Sequence, residues 1–231
     1  MPERPYTVLS CSMSIDGYLD SAGDERLILS NEADLDRVDQ ERAGCDAILV
    51  GATTVRKDDP RLLVRCADRR LERVARGLKP SPLKVTITCR ADLDPTGRFF
   101  TTGDSEKLVY SPSAYAPEAR SRLGAVATVV DGGDRVSMRG IGEDLHERGV
   151  RRLMVEGGGT IHTQFLAEDV ADELQLVVAP FFVGDSAARR FVDDGPFPAR
   201  PGSPAVLADV RRIGEVVLLR YRLSDRFEET G

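Results

Sequence analysis

The 231-residue sequence has no tryptophan, two histidines, four cysteines and no long apolar run. The cysteines form no C-x-x-C pair and have no histidine beside them, so we expect free, mostly buried thiols and no metal site. The longest apolar stretch, from Leu174 to Val183, is interrupted by Pro180 and is too short to cross a bilayer. The first ten residues also lack the apolar core of a signal peptide, so we expect a cytoplasmic protein without a membrane segment.

Positive charge is outweighed by negative charge, with 32 Lys and Arg against 38 Asp and Glu and a net charge of −6. Such a surface does not attract nucleic acid or an anionic membrane, so an anionic ligand must be held by local cations. Hydrophobic residues make up 41% of the chain, which is enough for a substantial core at this length. We predict a single domain over residues 1–231.

Several signature motifs are also missing. Gly140-Ile141-Gly142 begins like G-x-G-x-x-G, but Leu145 replaces the third glycine and no strand leads directly into it. The sequence has no Walker A loop, no G-x-S-x-G elbow and no H-x-E…C-x-x-C pattern. These absences argue against a classical dinucleotide-binding Rossmann fold, a P-loop NTPase, a serine hydrolase and the usual kind of zinc deaminase.

Short apolar segments alternate with helical patterns along the chain. We predict strands at residues 6–13, 47–50, 84–88, 107–110, 126–130, 152–155, 173–178, 205–213 and 215–221. We predict helices at residues 32–43, 117–123, 141–148 and 161–168, the first capped by Asn31, and a loop or insertion at the arginine-rich residues 67–82. This pattern predicts an α/β fold: a mostly parallel central sheet, helices on both faces, and an antiparallel C-terminal hairpin across Gly214.

The stretch LMVEGGGTIHTQFL, residues 153–166, runs from a predicted strand through Glu156 and three glycines into a predicted helix. Consecutive glycines let backbone amides approach a ligand, and a helix N-terminus favours an anion. We interpret the stretch as a pyrophosphate cradle, with a flexible strand-to-helix turn as the alternative.

A second polar cluster, GATTVRKDDPRL at residues 51–62, follows another predicted strand, where open α/β sheets bind ligands. Thr54 offers a hydroxyl, and Asp58 and Asp59 can accept hydrogen bonds from ribose hydroxyls or a carboxamide. Arg61 and Arg65 can grip a phosphate. A helix cap with a solvated cluster of charges explains the stretch equally well.

Other polar residues receive structural interpretations. Asp16-Gly17 is a strong turn dipeptide, and turn chemistry is preferred to a catalytic acid at Asp16. His146 and His162 lie in helical patterns without a carboxylate triad, so exposed or capping roles are expected for both. The basic run from Arg65 to Lys79 is interpreted as a solvated loop face rather than a phosphate contact.

Taken together, several stretches resemble one family, the reductase domain of riboflavin biosynthesis, which has a dihydrofolate-reductase-like fold. They are SMSIDG (12–17), RAGCDAILVGATTVRKDDPRLLV (42–64), VEGGGTIHTQFL (155–166), VADELQLVVAP (170–180) and RRFVDDGPFP (189–198). The order and spacing match over nearly the whole chain, and the last stretch is similar to the stand-alone enzymes rather than the bifunctional deaminase/reductases. Ser10 stands where the bifunctional enzymes tend to carry lysine, which favours the diamino substrate of the stand-alone type.

The resemblance implies roles for particular residues. The positions implied to bind NADPH are Ser12, Thr54, Asp58, Gly158, Gly159, Thr160 and Ile161. Those implied to contact the substrate are Arg42, Leu62, Arg65 and Glu156, with Arg61 added because of its charge. Glu156 is the candidate catalytic residue, and no metal is expected.

The implied reaction is the NADPH-dependent reduction of 2,5-diamino-6-ribosylamino-4(3H)-pyrimidinone 5′-phosphate to the ribitylamino compound. The alternatives are reduction of the deaminated 5-amino-6-(5-phosphoribosylamino)uracil, a pathway-specific pterin or pyrimidine reductase of the same fold, and an NADPH-binding module without turnover. The partners expected are a small phosphorylated pyrimidine and a second copy of the chain in a homodimer, with no nucleic acid and no membrane.

Overall fold

The computed structural model describes residues 3–23 and 27–227. The strands are β1 (Tyr6–Ser14), β2 (Ala47–Gly51), β3 (Leu83–Ile87), β4 (Lys107–Ser111), β5 (Thr128–Asp131), β6 (Arg152–Val155), β7 (Glu173–Ala179), β8 (Val206–Ile213) and β9 (Val216–Arg222). The helices are α1 (Glu32–Gly44), α2 (Ala52–Asp58), α3 (Ala67–Ala75), α4 (Arg98–Thr101), α5 (Ala116–Leu123), α6 (Met138–Glu147) and α7 (Gly159–Ala167). They form two compact units: Met1–Pro5 with Asp39–Met154, and Tyr6–Val38 with Val155–Gly231.

The first unit is built on parallel strands in the order β5-β4-β3-β2, with β6 next to β2. All five residues of β2 are buried, and so are the last four of β3. Strands buried on both faces are typical of a parallel sheet that is covered by helices. This burial explains why the sequences of β2 and β3 are mostly apolar along their length. The carboxyl end of β2 leads straight into α2, so this unit presents the residues of α2 at that end of the sheet.

The second unit has the strand order β1-β7-β9-β8. β1 and β7 pair in parallel, with Val8 opposite Glu173, whereas β9 pairs antiparallel with both β7 and β8. The predicted fold class, mostly parallel strands with an antiparallel C-terminal hairpin and helices around them, is therefore confirmed. The single domain over residues 1–231 stays a prediction.

Most predicted elements are present with shifts of a few residues. α1 begins as predicted: Asn31 Oδ1 accepts a hydrogen bond from the Asp34 amide at 2.9 Å, which caps the helix. Three helices were not predicted, namely α2, α3 and α4. The loop or insertion predicted at residues 67–82 is wrong, because its first half forms α3.

Arg73 explains why this arginine-rich stretch is a packed helix. Its side chain is only 3% exposed, which also contradicts the interpretation of the basic run as a wholly solvated face. Its Nη1 donates to the carbonyl oxygens of Ala43 at 2.8 Å and Cys45 at 2.7 Å, and its Nε donates to Lys79 O at 2.9 Å. Arg73 therefore satisfies carbonyl groups at the C-terminal end of α1 that the helix leaves unpaired.

Replacing Arg73 by leucine is expected to lower the free energy of unfolding by about 2 kcal/mol, because buried carbonyl acceptors lose their donors. The measurement is urea unfolding followed by circular dichroism. The control is Arg76→Leu, an exposed position at the end of the same helix, where a change within about 0.5 kcal/mol is expected. Equal losses in both variants would contradict this role for Arg73.

Candidate active site

The predicted site residues divide between the two units. Those in the first unit are Arg42, Thr54, Asp58, Arg61, Leu62 and Arg65. Those in the second unit are Ser12, Glu156, Gly158, Gly159, Thr160 and Ile161. Each group is described within its own unit.

In the first unit, the stretch GATTVRKDDPRL begins at the end of β2 and forms α2, followed by an irregular segment. Thr54 and Asp58 are half-buried residues of α2. Asp59 caps the helix in a left-handed conformation, with φ of 41°. Its carboxylate accepts hydrogen bonds from the Phe99 amide at 3.2 Å and from Arg98 Nε at 3.1 Å. Asp59 therefore anchors α4, and the ligand contact expected for Asp58 stays a prediction.

The segment after α2 carries three predicted site residues, Arg61, Leu62 and Arg65, and α1 adds a fourth, Arg42. Leu62 is buried and has a φ of 45°. Arg42, in the last turn of α1, donates from Nη1 to Leu63 O at 3.3 Å. The guanidinium of Arg42 thus lies against the segment that carries Leu62 and Arg65, while Arg61 is exposed.

Asp39 fixes the backbone at Arg65. This carboxylate of α1 is only 2% exposed and accepts hydrogen bonds from the amides of Arg65 at 2.5 Å and Cys66 at 3.0 Å, and from Arg69 Nη1 at 3.0 Å. Burial works to raise the pKa of Asp39, but the donated hydrogen bonds outweigh it and hold the pKa below its usual range. The Arg65 side chain is 54% exposed, with Nε 3.7 Å from Asp39 Oδ1. A half-exposed arginine side chain on a fixed backbone suits recognition of a phosphate.

The second unit resumes at Val155, the last residue of β6. Glu156 follows as a half-buried residue. Gly157 has a φ of 112°, a conformation that side chains rarely allow. Gly158 is the N-cap of α7, without a side-chain cap and without an acidic residue in the first turn. An uncapped helix N-terminus reached through glycines fits the phosphate groups of a nucleotide cofactor.

The remaining predicted residues of this unit have identifiable partners or positions. Thr160 Oγ1 donates to Asp193 Oδ2 at 3.2 Å. Ile161 is buried, and its amide donates to Gly158 O at 2.9 Å, so it belongs to the packed side of the helix. Ser12 is a half-buried residue of β1, opposite Val177 of β7.

Gly159 is required by close packing rather than by flexibility. A Cβ at this position would lie 2.4 Å from the backbone oxygen of Arg190 and 3.5 Å from that of Phe191. Backbone atoms cannot move aside as the end of a side chain can, so any side chain here must displace either the turn or the segment around Arg190.

Gly159→Ala is expected to cost roughly 1–3 kcal/mol of stability through overpacking. If the turn binds the cofactor, displacing it should also weaken binding. A loss of about 1 kcal/mol of binding free energy raises the dissociation constant for NADPH about fivefold, and we expect at least this change. Thermal unfolding and titration of NADPH fluorescence measure the two effects. The matched control is Gly44→Ala in α1, where a Cβ meets no atom within 4 Å; parent-like stability of Gly159→Ala would contradict the account.

Three further polar residues, Asp16, His162 and His146, lie outside the predicted site. Asp16 accepts hydrogen bonds from Ser14 Oγ at 2.5 Å and from the amides of Val183 at 3.0 Å and Gly184 at 2.8 Å, which is a structural role in the turn. The exposed or capping role expected for His162 is wrong, because this residue of α7 is fully buried. The periodicity of residues 161–168 carried the only signal for its burial. His146 Nε2 lies 2.8 Å from Glu3 Oε2.

Within residues 3–23 and 27–227, no group of three or more His, Cys, Asp or Glu side chains is arranged to hold a metal ion. None of the helices in these ranges is long and apolar enough to cross a membrane.

Comparison with known proteins places these features in a family context. A family model described as the RibD C-terminal domain matches residues 5–219. The chain is 36% identical over 214 residues to a 2,5-diamino-6-ribosylamino-4(3H)-pyrimidinone 5′-phosphate reductase of Archaeoglobus fulgidus, covering 92% of this chain and 95% of that protein. A protein of the same name from Methanothermobacter thermautotrophicus is 38% identical over 192 residues, covering 82% of this chain and 84% of that protein.

A solved structure supports the fold. The chain is similar, with a TM-score of 0.76 and 22% identity, to a Thermotoga maritima diaminohydroxyphosphoribosylaminopyrimidine deaminase/5-amino-6-(5-phosphoribosylamino)uracil reductase. The similarity covers 95% of this chain and 56% of that one, so the chain spans little more than half the length of the bifunctional protein.

Proposed function

Because the chain belongs to the RibD C-terminal domain family, we propose that it reduces 2,5-diamino-6-ribosylamino-4(3H)-pyrimidinone 5′-phosphate to its ribitylamino form in riboflavin biosynthesis. The observation that carries this proposal is the 36% identity to the Archaeoglobus fulgidus reductase over almost the whole length of both proteins. Relatives with this function are reductases of a phosphoribosylaminopyrimidine, which implies a reduced nicotinamide cofactor. NADPH, rather than NADH, is our proposal for that cofactor.

The first unit supplies cations for the substrate phosphate. We assign this phosphate to Arg65, assisted by Arg42 or Arg61, because the Arg65 backbone is fixed by Asp39 while about half of its side chain is exposed. Planar guanidinium groups bind phosphate oxygens in pairs of parallel hydrogen bonds. Buried Leu62, in its left-handed conformation, sets the path of the chain into Arg65.

The second unit supplies the phosphate-binding turn and the acid/base group. Glycines 158 and 159 with Thr160 and Ile161 hold the cofactor at the start of α7, and Ser12 is proposed as a further cofactor contact in the same unit. The cofactor contacts predicted for Thr54 and Asp58 belong to the first unit and stay predictions. Opening of the ribose ring breaks the C1′–O4′ bond, moves a proton from the amine nitrogen to O4′ and leaves a C1′=N imine. Glu156 hydrogen-bonds the ribose hydroxyls and moves this proton. A bound reduced nicotinamide would supply the hydride that adds to C1′ of the imine while its nitrogen takes up a proton. The protein otherwise contributes by positioning the reacting groups.

A homodimer is also part of the proposal. The C-terminal hairpin exposes the apolar side chains of Leu207, Val210 and Val217. Leu207 pairs with Tyr221 and Val210 with Leu219, so these side chains continue one face of the hairpin. An exposed apolar face of this kind is typical of a surface that a partner subunit covers.

One experiment separates this function from its alternatives. Purified protein is mixed with NADPH or NADH and with the diamino phosphate, its deaminated analogue or dihydrofolate, and the loss of absorbance of the reduced nicotinamide is followed. We expect rapid oxidation of NADPH with the diamino compound. Preference for the deaminated analogue would change the substrate within the family, preference for dihydrofolate would support a pterin reductase, and NADPH binding without oxidation would support a binding module.

A further inference from the structure

His162 is a buried polar residue that the proposed reaction does not use. It lies in α7, four residues after the N-cap Gly158, and it is fully buried. Among the residues that the structure describes, neither Nδ1 nor Nε2 of its ring has a hydrogen-bond partner. The ring packs against Phe191, with centroids 5.6 Å apart.

Burial of both ring nitrogens without a hydrogen-bond partner among the described residues destabilises the fold. A neutral imidazole has one donor and one acceptor, and each buried group without a partner costs roughly 1–3 kcal/mol. Burial lowers the pKa of His162 to about 4, so the ring is neutral near pH 7 and cannot offset this cost through charge. An apolar ring of similar shape, such as phenylalanine, would avoid the cost altogether.

One edge of the His162 ring lies beside the glycine turn. His162 Nε2 lies 3.3 Å from the position that a Cβ of Gly157 would occupy, so the missing side chain leaves the imidazole edge beside the main chain of the turn. Gly157 already has a φ of 112°, and glycine rotates between such conformations at little steric cost. Rotation of the backbone at Gly157 changes the directions of the main-chain carbonyls that lie beside the ring.

We propose that His162 is a positioning residue for the glycine turn: when the turn binds the phosphates of the nicotinamide cofactor, the imidazole donates a hydrogen bond to a main-chain carbonyl of Glu156 or Gly157. This bond orients the amides of the turn toward the phosphates. Because it forms only in the liganded arrangement, it favours that arrangement over the free one. The inference rests on the proposed function, in which this turn holds the cofactor.

Two variants test the proposal by equilibrium binding. His162→Phe keeps the ring volume and removes both polar groups, so it should leave the melting temperature of the free protein equal or higher and raise the dissociation constant for NADPH about tenfold. His162→Gln places an amide donor near the position of Nε2 and should restore affinity to within about threefold of the parent. The matched control, His146→Phe, changes the other histidine, in the first unit, and should leave NADPH affinity unchanged.

The outcomes separate three interpretations. An unchanged dissociation constant in His162→Phe overturns the positioning role while leaving the proposed function intact. Reduced affinity together with a reduced melting temperature in both His162 variants assigns His162 to packing alone and also overturns the role. Failure of the parent protein to bind NADPH is a failure of the proposed function itself.

A spectroscopic measurement on the parent protein does not depend on whether a His162 variant folds. The sequence contains only two histidines, so protein labelled with ¹⁵N-histidine gives two imidazole signal sets, and His146→Phe identifies the one from His162. Saturating NADPH should shift the His162 ring signals and protect its N–H proton from exchange, while those of His146 stay in place. Unchanged His162 signals at saturation would overturn the proposal.

Discussion

Glu156→Gln is expected to lower kcat at least about 100-fold while leaving the dissociation constant for NADPH within about twofold of the parent, because a positioned acid/base group contributes about 10²–10⁴-fold. Glu156 is the first residue beyond β6 and is half-buried next to the glycine turn. Glutamine keeps the size and most hydrogen bonds of glutamate, but it cannot transfer the proton that ring opening of the ribose requires. Steady-state oxidation of NADPH gives kcat, and titration of NADPH fluorescence gives the affinity.

A matched variant separates this effect from a general loss of negative charge. Glu168→Gln makes the same chemical change at the C-cap of α7, at the opposite end of the helix from the turn. We expect parent-like turnover in this control. Parent-like turnover in Glu156→Gln as well would remove Glu156 from catalysis and leave positioning as the source of the rate.

Arg65→Ala is expected to raise KM for the phosphorylated substrate about 10–100-fold, because loss of a charge-assisted hydrogen bond costs roughly 1.5–3 kcal/mol. The two backbone hydrogen bonds to Asp39 come from the amides of Arg65 and Cys66, so truncating the side chain leaves them in place. The variant should therefore fold normally, and the affinity for NADPH should not change. KM and kcat from initial rates over a range of substrate concentrations test this expectation.

Arg56→Ala is the control for Arg65→Ala. Arg56 is an exposed cation of α2 whose Nη1 donates to Asp92 Oδ1 at 2.8 Å, and it has no assigned role in binding. Its removal should leave KM at the parent value. An unchanged KM in Arg65→Ala would place the phosphate elsewhere, with Arg61 as the next residue to test.

Local sequence patterns predict those helices and strands that are stabilised by residues close together in the sequence. The cap of α1 depends on Asn31 and Asp34, three residues apart, and the buried strands are continuous apolar runs. By contrast, α3 depends on hydrogen bonds from Arg73 to carbonyls about thirty residues earlier in the chain, which no local pattern contains. A polar, arginine-rich composition therefore predicted a loop where a partner far away in sequence stabilises a helix.

In the candidate site, too, residues that depend on partners distant in sequence could not be predicted. The glycine turn and Arg65 were found because glycine runs and clustered cations have recognisable chemistry. Asp39, which holds the backbone of Arg65, is 26 residues away in sequence and was not found. His162 was assigned an exposed or capping role because a helical pattern does not distinguish a buried histidine from an exposed one. The residues alone indicated phosphate binding, and only the resemblance to a family predicted hydride transfer to a ribosylaminopyrimidine.

The most direct test of the central claim is to follow the transferred hydrogen. The parent protein is given NADPH that carries deuterium at both hydrogen positions of nicotinamide C4, together with the diamino ribosylaminopyrimidine 5′-phosphate, and the product is analysed by mass spectrometry and NMR. Our account predicts a ribitylamino product carrying a single deuterium at C1′. Oxidation of NADPH without deuterium at C1′, or recovery of the ribosylamino compound unchanged, would contradict it.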